Sequence, residues 1–404
     1  MDITIVDGDV PYPANSGKRL RSLNLALPLA ARHRITYIAR CASAAEGAEA
    51  AAFLSRHGIE PIMVEEPIAA KSGPAFYGRL AGNLLSALPY TVQSHMGAAM
   101  RTACVEHAAR RNVDVWQVEW FGYLYCVEGL RGRKVLSAHN VESLIWKRYL
   151  ETETNPVKRA FVREQWRKML RFERQSFAAV DKVVTVSEPD AACARELYGT
   201  GHTACVDNGV DAGYFADVRP GTGSRQVLFL GALDWRPNID AIAILLDEIF
   251  PAVRQRVGDA TLAIVGRSPS RALIDRVAAT AGVVLHANVP DVRPHMAASA
   301  LMAVPLRIGG GSRLKIIEAL VGGLPVVSTA IGAEGLRIEP ERDFDLADTA
   351  PAMADAIVRR LQSPAPLDAA TRAKIAAAYD WPILAAKMEQ VWLDVVSRRL
   401  QQSA

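Results

Sequence analysis

The sequence predicts an α/β protein made of two doubly wound, parallel-sheet domains, and three observations predict it. Short apolar runs alternate with amphipathic stretches along the chain, the alternation is interrupted once, and a glycine run in the second half sits between a strand pattern and a helix pattern. Alternating strands and helices build a parallel sheet covered on both faces. At 404 residues the chain exceeds one compact core and suits two domains of roughly 150–200 residues.

The strands of the first half are expected at 3–6, 35–39, 62–64, 113–118, 135–138 and 183–186, each followed by a helix-like segment. The second half repeats the arrangement at 227–230, 262–265, 283–286, 301–304 and 325–328. Between them, residues 211–224 are rich in Gly, Asp and Pro and lack periodicity, which reads as a linker. The expected division is a first domain at 1–210, a linker at 211–224 and a second domain at 225–380. A terminal helix at 381–404 carries Leu384, Met388, Val391, Trp392 and Val395 on one side and is expected to pack back on the first domain.

Composition excludes several classes. Half the residues are apolar and 22% are charged, so the chain is not disordered. A net charge of +4 suits an anionic ligand or surface but falls far short of a nucleic-acid binder. Cys41, Cys104, Cys126, Cys193 and Cys205 are widely spaced, which fits neither a disulfide framework nor a zinc site and suits a reducing cytoplasm. No apolar run reaches the ~18 residues of a membrane span. Any membrane contact is therefore expected to be peripheral, at the inner face.

The run Gly309-Gly310-Gly311-Ser312-Arg313-Leu314-Lys315 is the most informative segment. It places two cations, Arg313 and Lys315, where a helix is expected to start. A helix N-terminus already carries about half a positive charge, so each cation costs roughly 0.3–1 kcal/mol unless an anion lies beside it. Glycines let a backbone approach a ligand closely, and free N–H groups complete a phosphate cradle. The plainer reading is a glycine loop with solvated cations. In open α/β sheets ligands bind beyond the carboxyl ends of the strands, so with two such sheets the expected site is the cleft between the domains.

Asp207-Asn208-Gly209-Val210-Asp211, Leu230-Gly231, Ile264-Val265-Gly266 and the 309–318 cradle occur in an order that resembles two-domain GT-B glycosyltransferases. More narrowly the chain resembles the retaining family 4 and, within it, bacterial exopolysaccharide transferases. The resemblance spans nearly the whole length, with its specific part in the second half. It implies a nucleotide-diphosphate sugar as donor, a glycan or lipid-linked acceptor, and no cofactor or metal.

Carried over by position, the second acid of the family's Glu-x7-Glu signature falls on Glu318, which would accept hydrogen bonds from ribose hydroxyls. The first falls on Gly310, a departure that puts sugar choice in question. Ala232 replaces a usual Arg, so Arg313 and Lys315, with Arg236 or Arg307, would supply charge to the diphosphate beside Gly231, Gly309, Gly311 and Ser312. Gly17, in Pro11-Tyr12-Pro13-Ala14-Asn15-Ser16-Gly17, would lie under the transferring sugar, and His139 would hydrogen-bond a sugar hydroxyl. The departures keep open a degenerate GT-B protein that binds nucleotide sugar or a partner enzyme without turnover. A nucleotide-sugar epimerase on the same scaffold would need catalytic carboxylates in the cleft.

Each residue also has a structural reading. His139 could be a satisfied histidine, Gly17 a turn glycine, and Glu318 a partner for Lys315 three residues earlier. Glu119 suits an acceptor-side role or a loop carboxylate; Trp235 and Arg236 could stack or pair near the donor. Asp291 reads as an N-cap. The triplets Asp7-Gly8-Asp9 and Asp343-Phe344-Asp345 invite a magnesium reading, which their distance from the cradle disfavours. Residues 156–178 carry Lys158, Arg159, Arg163, Arg167, Lys168, Arg171 and Arg174 beside Val162, Trp166, Met169 and Leu170. Such a helix either lies on an anionic membrane or packs its apolar side on the sheet.

Overall fold

A computed structural model describes residues 1–70, 72–221, 223–308 and 313–402. The chain divides into two compact units, Met1–Asp207 with Leu384–Ala404, and Asn208–Ile383.

The first unit holds a parallel sheet of seven strands: β1 (Asp2–Asp7), β2 (Arg34–Cys41), β3 (Ile59–Glu65), β4 (Val115–Val118), β5 (Arg133–Ala138), β6 (Lys182–Thr185) and β7 (Thr203–Cys205). Their order is β3-β2-β1-β4-β5-β6-β7. The strand order reverses between β1 and β4, which pair with Ile3 opposite Val115 and Val6 opposite Val118. Both faces are covered, so the strands are apolar throughout: Ile3, Val6, Val115, Val118, Val135 and Leu136 are all buried. The terminal helix Trp381–Gln402 adds Leu384, Met388, Val391, Trp392 and Val395 to this buried set.

The second unit holds six parallel strands: β8 (Gln226–Leu230), β9 (Thr261–Gly266), β10 (Val283–Ala287), β11 (Leu301–Val304), β12 (Val326–Ser328) and β13 (Asp345–Leu346). The order β10-β9-β8-β11-β12-β13 reverses between β8 and β11. Both units are thus doubly wound, as the alternation predicts. Residues 211–218, expected in the linker, belong instead to the second unit. Asp211 caps the helix Ala212–Phe215 by accepting from the Tyr214 N–H, and Phe215 and Val218 are buried in the second unit's core. Two apolar residues in a Gly-, Asp- and Pro-rich run suffice to anchor it.

The helix Pro156–Ala178 turns its apolar side inward, with Val162 and Met169 buried. Lys168 is buried too and donates to the Asn83 carbonyl at 2.7 Å. Lys158, Arg159, Arg163, Arg167, Arg171 and Arg174 remain exposed. No described helix is long and apolar enough to cross a membrane.

Candidate functional site

In the second unit the carboxyl ends of β8 and β9 are packed through glycines. The Gly231 N–H donates to the Val265 carbonyl at 3.0 Å, and the Leu233 N–H to that of Arg267 at 2.8 Å. A Cβ on Gly266 would stand 1.8 Å from the Gly231 carbonyl oxygen, so only glycine fits there. A Cβ on Gly231 would stand 2.7 Å from Asn238 Nδ2 and 3.1 Å from Lys315 Nζ. Gly231 is therefore the floor on which the Lys315 ammonium rests.

Lys315 is delivered by the helix Leu314–Val321. Leu314, Ile316, Ile317, Leu320 and Val321 are buried, each contributing about 1.5–3 kcal/mol, and that fixes Lys315 and Glu318 on the remaining edge. Lys315 Nζ donates to Asn238 Oδ1 at 2.9 Å and lies 4.9 Å from the centre of the Phe229 ring. Asn238 is oriented by its own Nδ2, which donates to the Ala232 carbonyl at 2.8 Å.

Burial pulls the Lys315 ammonium down to about 8, with Glu318 opposing and Arg313 adding to the shift. Burial likewise pushes the Glu318 carboxyl up to about 7, against the pull of Lys315. Both charges are thus held at a cost, and an anion brought to Lys315 would relieve that of the ammonium.

Arg313 does not stand in the first turn of this helix, contrary to the sequence reading. It occupies the N-cap position with a left-handed φ of 50°. That conformation turns its guanidinium to the Ile331 carbonyl at 3.2 Å and to Glu334 Oε2 at 2.7 Å. Arg236 opens the helix Arg236–Ile244 and is exposed, as is Trp235, its N-cap residue. Arg307 forks onto Asp240 at 3.0 and 2.6 Å. Gly309, Gly310, Gly311 and Ser312 lie outside the described residues. Asp291 lies just before its helix, Arg293–Ala297, rather than at the N-cap position, which Val292 takes. Its Oδ1 accepts the Arg293 N–H at 2.9 Å and the Tyr214 hydroxyl at 2.9 Å.

In the first unit, the residues singled out by sequence gather at the carboxyl ends of β1, β4 and β5. Gly17 opens the helix Gly17–Leu29, where Ser16 Oγ accepts the Arg19 N–H at 3.3 Å. Asp7 is buried, ion-paired to Lys18, and accepts the Tyr37 hydroxyl at 2.7 Å; burial raises its carboxyl. Asp9 takes a forked pair of hydrogen bonds from Arg19 at 2.9 and 2.6 Å. In the second triplet, Asp343 accepts from Lys374 at 3.0 Å and Asp345 from Arg360 at 2.6 Å. Both triplets are therefore engaged by cations of the chain. Glu119 is buried beyond β4, and His139 Nε2 stands 3.2 Å from its Oε2.

Sequence reasoning singled out Lys315, Glu318, Glu119 and His139 but missed Asn238 and Phe229 beneath Lys315, and Gln117 and Trp392 behind Glu119. Asn238 carries one legible signal: an amide in the first turn of a helix that follows Gly231.

Comparison with known proteins follows the same division. Residues 224–363 match the family described as glycosyl transferases group 1. Solved structures similar over the whole length include a glycosyltransferase from Rickettsia africae, at 14% identity and TM-score 0.64, covering 98% of each chain. HepE from Anabaena in complex with UDP gives 15% identity and TM-score 0.67, covering 98% of this chain and 100% of that one. WaaG, a glycosyltransferase of lipopolysaccharide biosynthesis, gives 16% and 0.61, with 96% and 98% covered. No curated protein matches the chain in sequence. The chain has the GT-B fold. Its second unit is similar to group 1 glycosyl transferases, which supports the glycosyltransferase class.

Proposed function

We propose that this chain is a retaining, family 4-like and metal-independent glycosyltransferase. It moves a sugar from a nucleotide-diphosphate sugar to a glycan or lipid-linked acceptor, in exopolysaccharide or other cell-surface glycan synthesis at the cytoplasmic face of the membrane. The observation that carries the reading is Lys315: a half-buried ammonium set on Gly231 at the strand-order reversal of the unit that matches group 1. The binding of UDP and UDP-glucose by HepE supports a nucleotide sugar as donor here.

In this reading Lys315 holds the diphosphate and stabilises the charge that develops on it as the glycosidic bond breaks. Arg313, Arg236, Gly231 and residues 309–312 complete the diphosphate site, Glu318 accepts from the ribose, and His139 and Gly17 meet the sugar. The acceptor hydroxyl attacks from the face the diphosphate leaves and gives its proton to the departing phosphate oxygen, which retains the anomeric configuration. Thermal unfolding with UDP-, GDP-, ADP- and dTDP-sugars tests donor binding. A donor at 100 times its dissociation constant adds about 2.7 kcal/mol. One nucleotide is expected to stabilise the protein and thereby name the base; no shift with any of them counts against the reading.

We also assign a peripheral membrane contact to the exposed cations of Pro156–Ala178. Val157, Tyr77 and Leu85 are 78%, 68% and 96% exposed on the same unit. Each cation near an anionic surface is worth about 1 kcal/mol. Co-sedimentation with phosphatidylglycerol vesicles is expected, with loss in an Arg159→Glu, Arg163→Glu variant. Equal binding to phosphatidylcholine vesicles would contradict an electrostatic contact.

A further inference from the structure

A chain of hydrogen bonds crosses the first unit from the terminal helix to Glu119, the carboxylate beside His139. Trp392 Nε1 donates to Gln117 Oε1 at 2.6 Å. An indole nitrogen can only donate, so the Gln117 oxygen faces Trp392 and its NH2 group faces away. That NH2 group donates to Glu119 Oε1 at 2.8 Å and to Ser137 Oγ at 3.2 Å. Ser137 Oγ donates to Glu119 Oε1 at 3.1 Å, and Ser22 Oγ donates to Glu119 Oε2 at 2.8 Å.

Glu119 is 3% exposed and meets donors on both oxygens, so it is required as an acceptor throughout. Burial alone would raise its carboxyl, but His139, Gln117 and Ser22 together hold it well below the usual carboxylate range. His139 Nε2 is buried and stands 3.2 Å from Oε2. Among the described residues that nitrogen makes no hydrogen bond, and Glu119 is the carboxylate it stands beside.

We propose that Gln117 and Glu119 set the tautomer of His139, holding its proton on Nε2 and leaving Nδ1 as the nitrogen that meets the substrate hydroxyl. The inference rests on the proposed role of His139 at the sugar. Glu119 is a positioning residue, and Trp392 acts one step behind it by fixing the orientation of the Gln117 amide. Which imidazole nitrogen carries the proton is decided by the hydrogen bond the other groups offer it. Here Gln117, Ser137 and Ser22 all donate to Glu119, an acceptor-only carboxylate, which leaves an N–H, not a lone pair, as the group His139 can turn toward it.

Ring 15N spectra of the histidines in the full chain test this without any substrate. His139→Gln identifies the His139 signals. The expected result is a protonated Nε2 and an unprotonated Nδ1 in the wild type, and a shift of the proton population toward Nδ1 in Glu119→Gln. A proton resident on Nδ1 in the wild type would overturn the proposal, whether or not any variant folds. An unchanged spectrum in a folded Glu119→Gln protein would overturn it as well. Once a donor is in hand, Glu119→Gln is expected to lower kcat by about 10²-fold with little change in KM. Failure of the wild type to bind any nucleotide sugar would count against the proposed function and leave the tautomer result standing.

Discussion

Replacing Lys315 with methionine leaves the ligand-free protein at least as stable as the wild type, yet removes its stabilisation by nucleotide sugar. The fold holds this ammonium against burial, which lowers it from 10.5 to about 8. For a base depressed in the fold, the penalty is full below pH 8 and fades as pH rises from 8 toward 10.5. Methionine has similar reach, keeps contact with Phe229 and carries no charge to bury. Its costs are the hydrogen bond to Asn238 Oδ1, worth about 1 kcal/mol, and the pull of Lys315 on Glu318, which the carboxyl offsets by taking up a proton. For a bound diphosphate the sign reverses: loss of a buried, charge-assisted contact costs about 2–5 kcal/mol, or roughly 30-fold to several thousand-fold in affinity.

The same residue sets a pH dependence. Above pH 8 the free protein loses the Lys315 charge, so affinity for the diphosphate falls by about tenfold per pH unit, and Lys315→Arg removes that slope. Calorimetric titrations at pH 7 and pH 9 read both effects. A Lys315→Met protein that loses stability but keeps its affinity would show the lysine to be structural.

Replacing Glu173 with alanine produces the largest loss of stability, about 3 kcal/mol or more. The helix Glu142–Thr152, which begins three residues after His139, starts from Val141, a residue with no side-chain acceptor to cap it. The cap comes instead from Glu173, 0% exposed on Pro156–Ala178. Its Oε1 accepts the Glu142 N–H at 2.9 Å, and its Oε2 accepts the Ser143 N–H at 3.1 Å and the Tyr198 hydroxyl at 2.5 Å. Alanine strands these buried donors at about 1–3 kcal/mol each. Glu173→Gln keeps an acceptor and loses less. Urea unfolding measures the difference, and equal losses in the two variants would contradict this account, because Gln keeps both the volume and one acceptor oxygen.

What the sequence discloses follows from the range of each interaction. The two sheets were legible because buried parallel strands are continuous apolar runs, visible wherever four or five such residues adjoin. β7 and β13 escaped notice: Thr203-Ala204-Cys205 is only partly buried at a sheet edge, and β13 is two residues long. The glycine packing at Gly231 and the pair Lys315 and Glu318 are local, so spacing exposes them. The partner of Lys315 is Asn238, 77 positions earlier, and that of Gln117 is Trp392, 275 positions later; no periodicity records either. Arg313 looked like a first-turn cation because sequence does not record φ, and its left-handed turn carries the guanidinium to Glu334.

The most direct test is a crystal structure of the chain with the nucleotide sugar selected by thermal unfolding, read as the distance from Lys315 Nζ to the nearest phosphate oxygen. A diphosphate oxygen at about 2.8 Å from Nζ, with a ribose hydroxyl on the Glu318 carboxylate, is the predicted result. A nucleotide bound elsewhere, with Lys315 still resting on Asn238 and Phe229, would contradict the account.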